Sequence, residues 1–323
     1  MKTRTLLAVL ALLLTPPIPL WAQTDWDAVE IRVVSLRGGV SMLTAAGGNL
    51  GVFLGTDGPL VVDADYAELT PRILSTIGTL PDPVGGTDVP SSPDDPGHVT
   101  IRFLVNTHWH FDHTGGNGNF AQAGAVIIAH EAVARLLAGA QAMPALDIRE
   151  VPASPPEARP TITFNNRMNL SWNGDLIHLI HQPDAHSSGD VIVHFRDADV
   201  FHTGDLFFNG MYPYIDVDFG GNLDGMVRAV GDILDFSNET TLFIPGHGPL
   251  ATRSDLLESH EMLRTVQDRV RPMVEEGKSR EEVLAAKPTA DLDSTWARSG
   301  NPMEADFFVG LVFDGMVKAR NGG

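Results

Sequence analysis

Thr107-His108-Trp109-His110-Phe111-Asp112-His113 places three histidines and one aspartate within six consecutive residues. The apolar run Val99 to Val105 precedes it and predicts a strand that runs straight into the cluster. If the chain leaves that strand extended, His108 and His110 share a face, because alternate side chains of a strand do. Asp112 and His113 then turn toward a neighbouring point. Imidazole nitrogen and carboxylate oxygen suit zinc and related divalent metals. A lone histidine reads as structural; four ligand-type side chains in six positions, followed by Thr114-Gly115-Gly116-Asn117, read as metal binding.

Upstream of the cluster, Ile31 to Leu36, Val40 to Leu43, Leu50 to Leu54 and Leu60 to Val62 are short β-rich runs divided by glycine. That spacing predicts an antiparallel meander. Leu69, Ile73 and Ile77 repeat at helical spacing, and Pro81 to Gly97 reads as an exposed proline-rich loop. Downstream, a strand over 125–129 and a helix over 131–138 precede a second proline-rich stretch, Met143 to Pro160. Strands are predicted at 161–164, 168–172, 176–180, 191–195, 200–202 and 242–244, with a helix from Leu223 to Leu234. The remainder, 251–323, is a mostly helical tail, with helices over 254–276 and 306–318. Strands and helices alternate in two similar halves, which predicts an α/β fold with sheets covered by helices.

The chain of 323 residues is 43% hydrophobic, which excludes global disorder and supplies a sizeable core. Acidic residues (41) outnumber basic ones (22), so a nucleic-acid partner is not expected. Cysteine is absent, which excludes disulfides, thiolate ligands and cysteine nucleophiles. Lys2 and Arg4, the apolar run Leu6 to Leu14 and Leu20-Trp21-Ala22 have the order of a signal peptide over residues 1–22. A bilayer span needs about 20 apolar residues, more than this run offers, and no later stretch is long and apolar enough. The expectation is an exported protein, periplasmic or secreted, with a single domain over 23–323. Loss of the leader takes its formal charge from −19 to −21.

The sequence resembles the metallo-β-lactamase superfamily, whose hallmark is H-x-H-x-D-H after a strand. Further motifs of that family follow its order. Asp63 closes Leu60-Val61-Val62-Asp63, and His186 lies in Asp184-Ala185-His186-Ser187-Ser188-Gly189-Asp190. Asp205 closes His202-Thr203-Gly204-Asp205, and His247 lies in Ile244-Pro245-Gly246-His247-Gly248. The match covers about residues 30–250. It implies an αβ/βα four-layer sandwich holding two metal ions, most simply zinc. By motif, His108, His110 and His186 would hold one metal; Asp112, His113 and His247 would hold the other, with Asp205 between them. Asp63 would orient ligands without binding metal. Tyr212 and Tyr214, close after Asp205, are candidate pocket residues. His130 reads as a capping residue, and His202 as satisfied core.

The implied chemistry is hydrolysis of a small carbonyl substrate, an ester, lactone or lactam, by a hydroxide shared between the metals, with Asp112 orienting it. The cysteine-containing β-lactamases use that residue where Asp205 stands, so they are excluded; the aspartate-and-histidine subclass keeps β-lactam hydrolysis as the alternative. Bridging-aspartate hydrolases such as glyoxalase II and the lactonases fit the ligand set better, although the lactonases carry tyrosine where this chain has Phe208. Di-iron redox members place glutamate where this chain has His110. Metal binding without turnover is a further alternative.

Overall fold

The computed structural model describes residues 24–81, 91–92, 95–299 and 304–322. The proposed leader, 1–22, and most of the stretch 82–94 lie outside them. The first strands are β1 (Arg32–Ser35), β2 (Val40–Thr44), β3 (Leu50–Phe53) and β4 (Leu60–Val62), with α1 (Thr70–Ile77) after them. A short hairpin of β5 (Ser91–Ser92) and β6 (Asp95–Val99) comes next, then β7 (Phe103–Val105), α2 (Phe111–Thr114) and α3 (Asn117–Gln122). β8 (Val126–His130) leads into α4 (Glu131–Leu137), and a second hairpin follows, β9 (Gln141–Met143) with β10 (Ile148–Val151).

The second half opens with β11 (Ile162–Phe164), β12 (Arg167–Trp172), β13 (Asp175–Gln182) and β14 (Asp190–Phe195). β15 (Val200–Phe208), α5 (Leu223–Phe236), β16 (Leu242–His247) and β17 (Ala251–Thr252) complete the sheets. The tail holds α6 (Arg253–Glu275), α7 (Arg280–Ala285), α8 (Asp293–Trp296) and α9 (Ala305–Arg320).

One sheet has the order β1-β2-β3-β4-β7-β8-β11; the other runs β12-β13-β14-β15-β16-β17. β1 to β4 form the expected antiparallel meander, after which β4, β7, β8 and β11 pair in parallel. In the second sheet only β15 and β16 are parallel. The strand expected over 99–105 is two strands, β6 and β7. Between them the chain leaves the ladder, with Ile101 N–H donating to Ala123 O and Arg102 N–H to Pro59 O.

The period of two sorts side chains into layers. Leu60, Val62, Val105 and Ile128 face the second sheet, where Ile177, Val193 and Ile244 meet them. Their neighbours Val61, Leu104 and Ile127 point outward, onto Leu69, Ile73 and Ile77 of the α1 region and Phe120 of α3. On the other sheet, Phe201 and Phe243 pack on Met226, Val230 and Ile233 of α5 and on Leu263 and Val266 of α6. The result is a helix, sheet, sheet, helix sandwich. Phe53 and Phe195 lock the two sheets, fully buried with ring centroids 5.3 Å apart. In the tail, Gly277 ends α6 with a left-handed φ of 79°.

Candidate metal centre

The histidine cluster sits where the parallel strands end. Beyond β7, Thr107 N–H and Thr107 Oγ1 donate to Asp63, which follows β4, at 2.8 and 2.7 Å. That cross-strand tie fixes the start of the turn before α2. β15 and β16 end on the facing sheet, so Asp205 and His247 meet the turn across the open edge. Gly204 occupies a left-handed position (φ 50°) at a register shift in β15, and a side chain there would strike Thr107.

Two clusters result. His108, His110, His186 and Asp205 form one; Asp112, His113 and His247 form the other. In the first, His110 Nδ1 lies 3.1 Å from His108 Nε2 and 3.0 Å from His186 Nε2. Asp205 Oδ2 is 3.6 Å from both His108 Nε2 and His186 Nε2. In the second, His113 Nε2 and His247 Nε2 are 3.3 Å apart, and Asp112 Oδ2 is 3.7 and 3.3 Å from them. Asp205 Oδ1 completes it, 3.1 Å from His113 Nε2 and 3.5 Å from His247 Nε2. One carboxylate thus turns an oxygen toward each cluster.

These spacings fit metal ions. Tetrahedral ligands about 2.0–2.1 Å from zinc lie roughly 3.3 Å from one another. Asp205 Oδ1 is buried and has no hydrogen-bond partner among the described residues. A buried carboxylate among converging imidazole nitrogens needs a compensating cation, which a protonated His113 at 3.1 Å supplies in the metal-free protein and a metal ion would supply in its place.

The nitrogens that face away from the clusters are also engaged. His113 Nδ1 is 2.8 Å from Asp63 Oδ2, and His186 Nδ1 is 2.9 Å from Tyr214 O. His108 Nδ1 is 3.0 Å from Thr107 Oγ1, whose proton goes to Asp63. Each arrangement directs Nε2 of its ring inward.

The electrostatics of the metal-free protein differ between the clusters. Burial holds His108 well below its usual range and His186 down at about 4. Burial also disfavours charge on His113 and His247, but the carboxylates of Asp205 and Asp112 overcome it. They raise His113 well above the ordinary value and His247 to about 9. Asp112, despite its burial, is held at about 2 by His113 and His247.

Asp63 sits behind the ligands, touching His113 and Thr107. Tyr214 lies beside the first cluster, its ring centroid 5.7 Å from His110 and 5.9 Å from His186. Tyr212 is elsewhere: it stacks on Phe308 at 4.7 Å, and its hydroxyl donates to Asp293 at 2.9 Å. His130 caps α4 by accepting from Ala132 N–H, and His202 is buried with Nε2 3.0 Å from Asn49 O.

Sequence reading missed several residues here. Asp216 touches His110, and Asn49 Nδ2 donates to Pro245 O and Gly248 O on either side of His247. Asp65 accepts from Gly47 N–H and Tyr66 N–H, and burial pushes its carboxyl up to about 6. None lies within a recognisable motif. A cleft of about 310 Å³ adjoins the same turn, with Trp109, Phe111, Leu136, Val151 and Pro152 in its walls.

Comparison with known proteins places this geometry. The family model of the metallo-beta-lactamase superfamily matches residues 47–251. An acyl-coenzyme A thioesterase of Gallus gallus, MBLAC2, is 27% identical over 50% of this chain and 58% of its own length. The probable metallo-hydrolase YqgX of Bacillus subtilis is 28% identical over 47% of this chain and 70% of its own. Among solved structures, metallo-beta-lactamases of Pontibacter korlensis and Hirschia baltica superpose with TM-scores of 0.54 and 0.52. They share 17% and 20% identity, cover 73% and 72% of this chain, and are themselves covered over 99% and 97%. With the family match spanning most of the sandwich and every motif histidine and aspartate gathered at its open edge, the chain belongs to the metallo-beta-lactamase superfamily.

Proposed function

We propose that this protein is a two-zinc hydrolase that cleaves a small carbonyl substrate, an ester, thioester, lactone or lactam. The observation that carries this reading is Asp205, whose two oxygens face two different histidine clusters. His108, His110 and His186 would hold one ion, Asp112, His113 and His247 the other, with Asp205 shared. When bound, such a pair supplies Lewis acidity and a water acidified to near neutral pH.

The chain's own residues do the rest. Asp112 and His247 are the most exposed of the seven, with side chains 21% and 20% exposed against 4% for Asp205. They mark the side from which substrate enters. Asp112, held at about 2, is an anion at neutral pH, so it would orient the attacking water as a hydrogen-bond acceptor. In the overall reaction the water oxygen bonds to the carbonyl carbon, the bond to the leaving atom breaks, and the leaving atom gains a proton. No serine or cysteine nucleophile is required.

The thioesterase relative supports an acyl substrate. β-Lactams remain the second reading, supported by the proposed export. Residues 1–22 support that export, and N-terminal sequencing of protein recovered from culture checks cleavage after Ala22. The function is tested by assaying esters, thioesters, lactones and β-lactams before and after chelation. Turnover of at least one class should vanish with chelator and return with zinc. Chelator-insensitive turnover, or an acyl-enzyme trapped by mass spectrometry, would overturn the proposal.

A further inference from the structure

The loop after β15 carries a carboxylate that neither cluster uses. Asp216 is 1% exposed, and its Oδ2 accepts from Trp109 Nε1 at 3.0 Å and lies 2.8 Å from His110 Nε2. His110 differs from the other histidines of its cluster because it aims Nδ1, not Nε2, at its neighbours. A neutral imidazole that donates Nε2–H to a carboxylate presents its lone pair at Nδ1. The same loop serves His186, whose Nδ1 meets Tyr214 O, while Asp216 N–H donates to His186 O at 2.8 Å.

We infer that Asp216 is a positioning residue of the first metal pocket, holding His110 in the ring orientation and tautomer that make Nδ1 the ligand atom. The indole N–H strengthens the arrangement. If the carboxylate rotated away, two buried donors would lose their acceptor.

The other side of the loop is held by helices beyond the family match. Tyr212 N–H donates to Trp296 O at 2.9 Å, the Tyr212 ring stacks on Phe308, and Lys318 Nζ donates to Val217 O at 2.9 Å. α8 and α9 therefore brace the segment that aims two of the first pocket's histidines. This assigns the tail a task that the ligand motifs alone do not reveal.

The inference rests on His110 being a metal ligand and adds what selects its ligating nitrogen. It is tested by titrating chelator-stripped protein with zinc against a chromophoric chelator, and by recording the absorption spectrum of the cobalt-loaded protein. Asp216→Asn keeps the side chain's size and removes its charge; Asp216→Ala removes the acceptor. In both, one of the two binding steps should weaken by about 10- to 100-fold. The other should stay at the wild-type value, and the cobalt spectrum should shift. Trp109→Phe should move the same step in the same direction by a smaller factor.

A purely structural role would lower the melting temperature of the metal-free protein and leave both affinities unchanged. Wild-type affinities and cobalt spectrum in a folded Asp216 variant would overturn the inference. If His110→Ala leaves both binding steps intact, it is the ligand reading that fails instead.

Discussion

Asp63 Oδ2 lies 2.8 Å from His113 Nδ1 and accepts the Thr107 hydroxyl at 2.7 Å, so one buried carboxylate aims a histidine of each cluster. It reaches His113 directly and His108 through Thr107 Oγ1. Asp63 also has a left-handed φ of 62°, which asparagine tolerates and alanine does not readily adopt. Asp63→Asn should therefore fold and lose metal affinity by about 10- to 100-fold. Competition titration with a chelator checks this; unchanged affinity would show that neither imidazole depends on Asp63.

Gly48 N–H donates to Asp112 O at 3.0 Å, and a Cβ on Gly48 would collide with the His113 ring. The β2–β3 turn can approach the second cluster only because that side chain is absent. Gly48→Ala should lower kcat by at least about tenfold, the equivalent of about 1.4 kcal/mol of misplacement. Steady-state kinetics on the best substrate, with circular dichroism to confirm folding, decides the matter.

The two clusters should load with different proton counts. His108 and His186 are held neutral by burial, whereas His113 and His247 are held protonated near pH 7 by Asp205 and Asp112. Ligating histidines must be neutral, so filling the second cluster expels protons. Its affinity should rise with pH at least as far as about 9, where His247 deprotonates without help, since His113 is also raised well above its ordinary value. Calorimetry in buffers of different ionisation enthalpy should find more proton release on one binding step than on the other. Equal release on both steps would contradict the assignment.

Much of this was legible in the sequence because the ligands sit in compact motifs after strands, and the period of two reports which side of each strand is buried. Asp216 was not legible, since it lies in a loop and its partner His110 is 106 positions away. Tyr212 misled for the converse reason. Closeness to Asp205 in sequence implied closeness to the site, but the loop turns that side chain toward Phe308 and Asp293. The strand expected over 99–105 divides because Ile101 and Arg102 find acceptors at Ala123 and Pro59, outside any local pattern.

Away from the two clusters, His194 stacks on Phe201 with ring centroids 3.8 Å apart. Burial first, and the neighbouring His178 second, lower its pKa from 6.5 to about 4. In this range the unfolded chain binds the proton more readily than the native one. Its contribution is complete above about pH 6.5 and is lost as pH falls toward 4. His194→Phe should flatten the decline in melting temperature across that window. An identical decline in both proteins would assign the acid sensitivity to other groups.

If Asp205 joins two metal pockets, its loss must weaken both, and the metal content of the protein reads this out. Zinc-saturated, desalted wild-type protein is measured by plasma mass spectrometry beside Asp205→Ala. Two zinc ions per wild-type chain are expected, as for a paired site, with a clear loss of bound zinc in the variant. A wild-type chain that retains one ion or none, or an Asp205→Ala chain that still holds two with wild-type affinity, would contradict that role for Asp205.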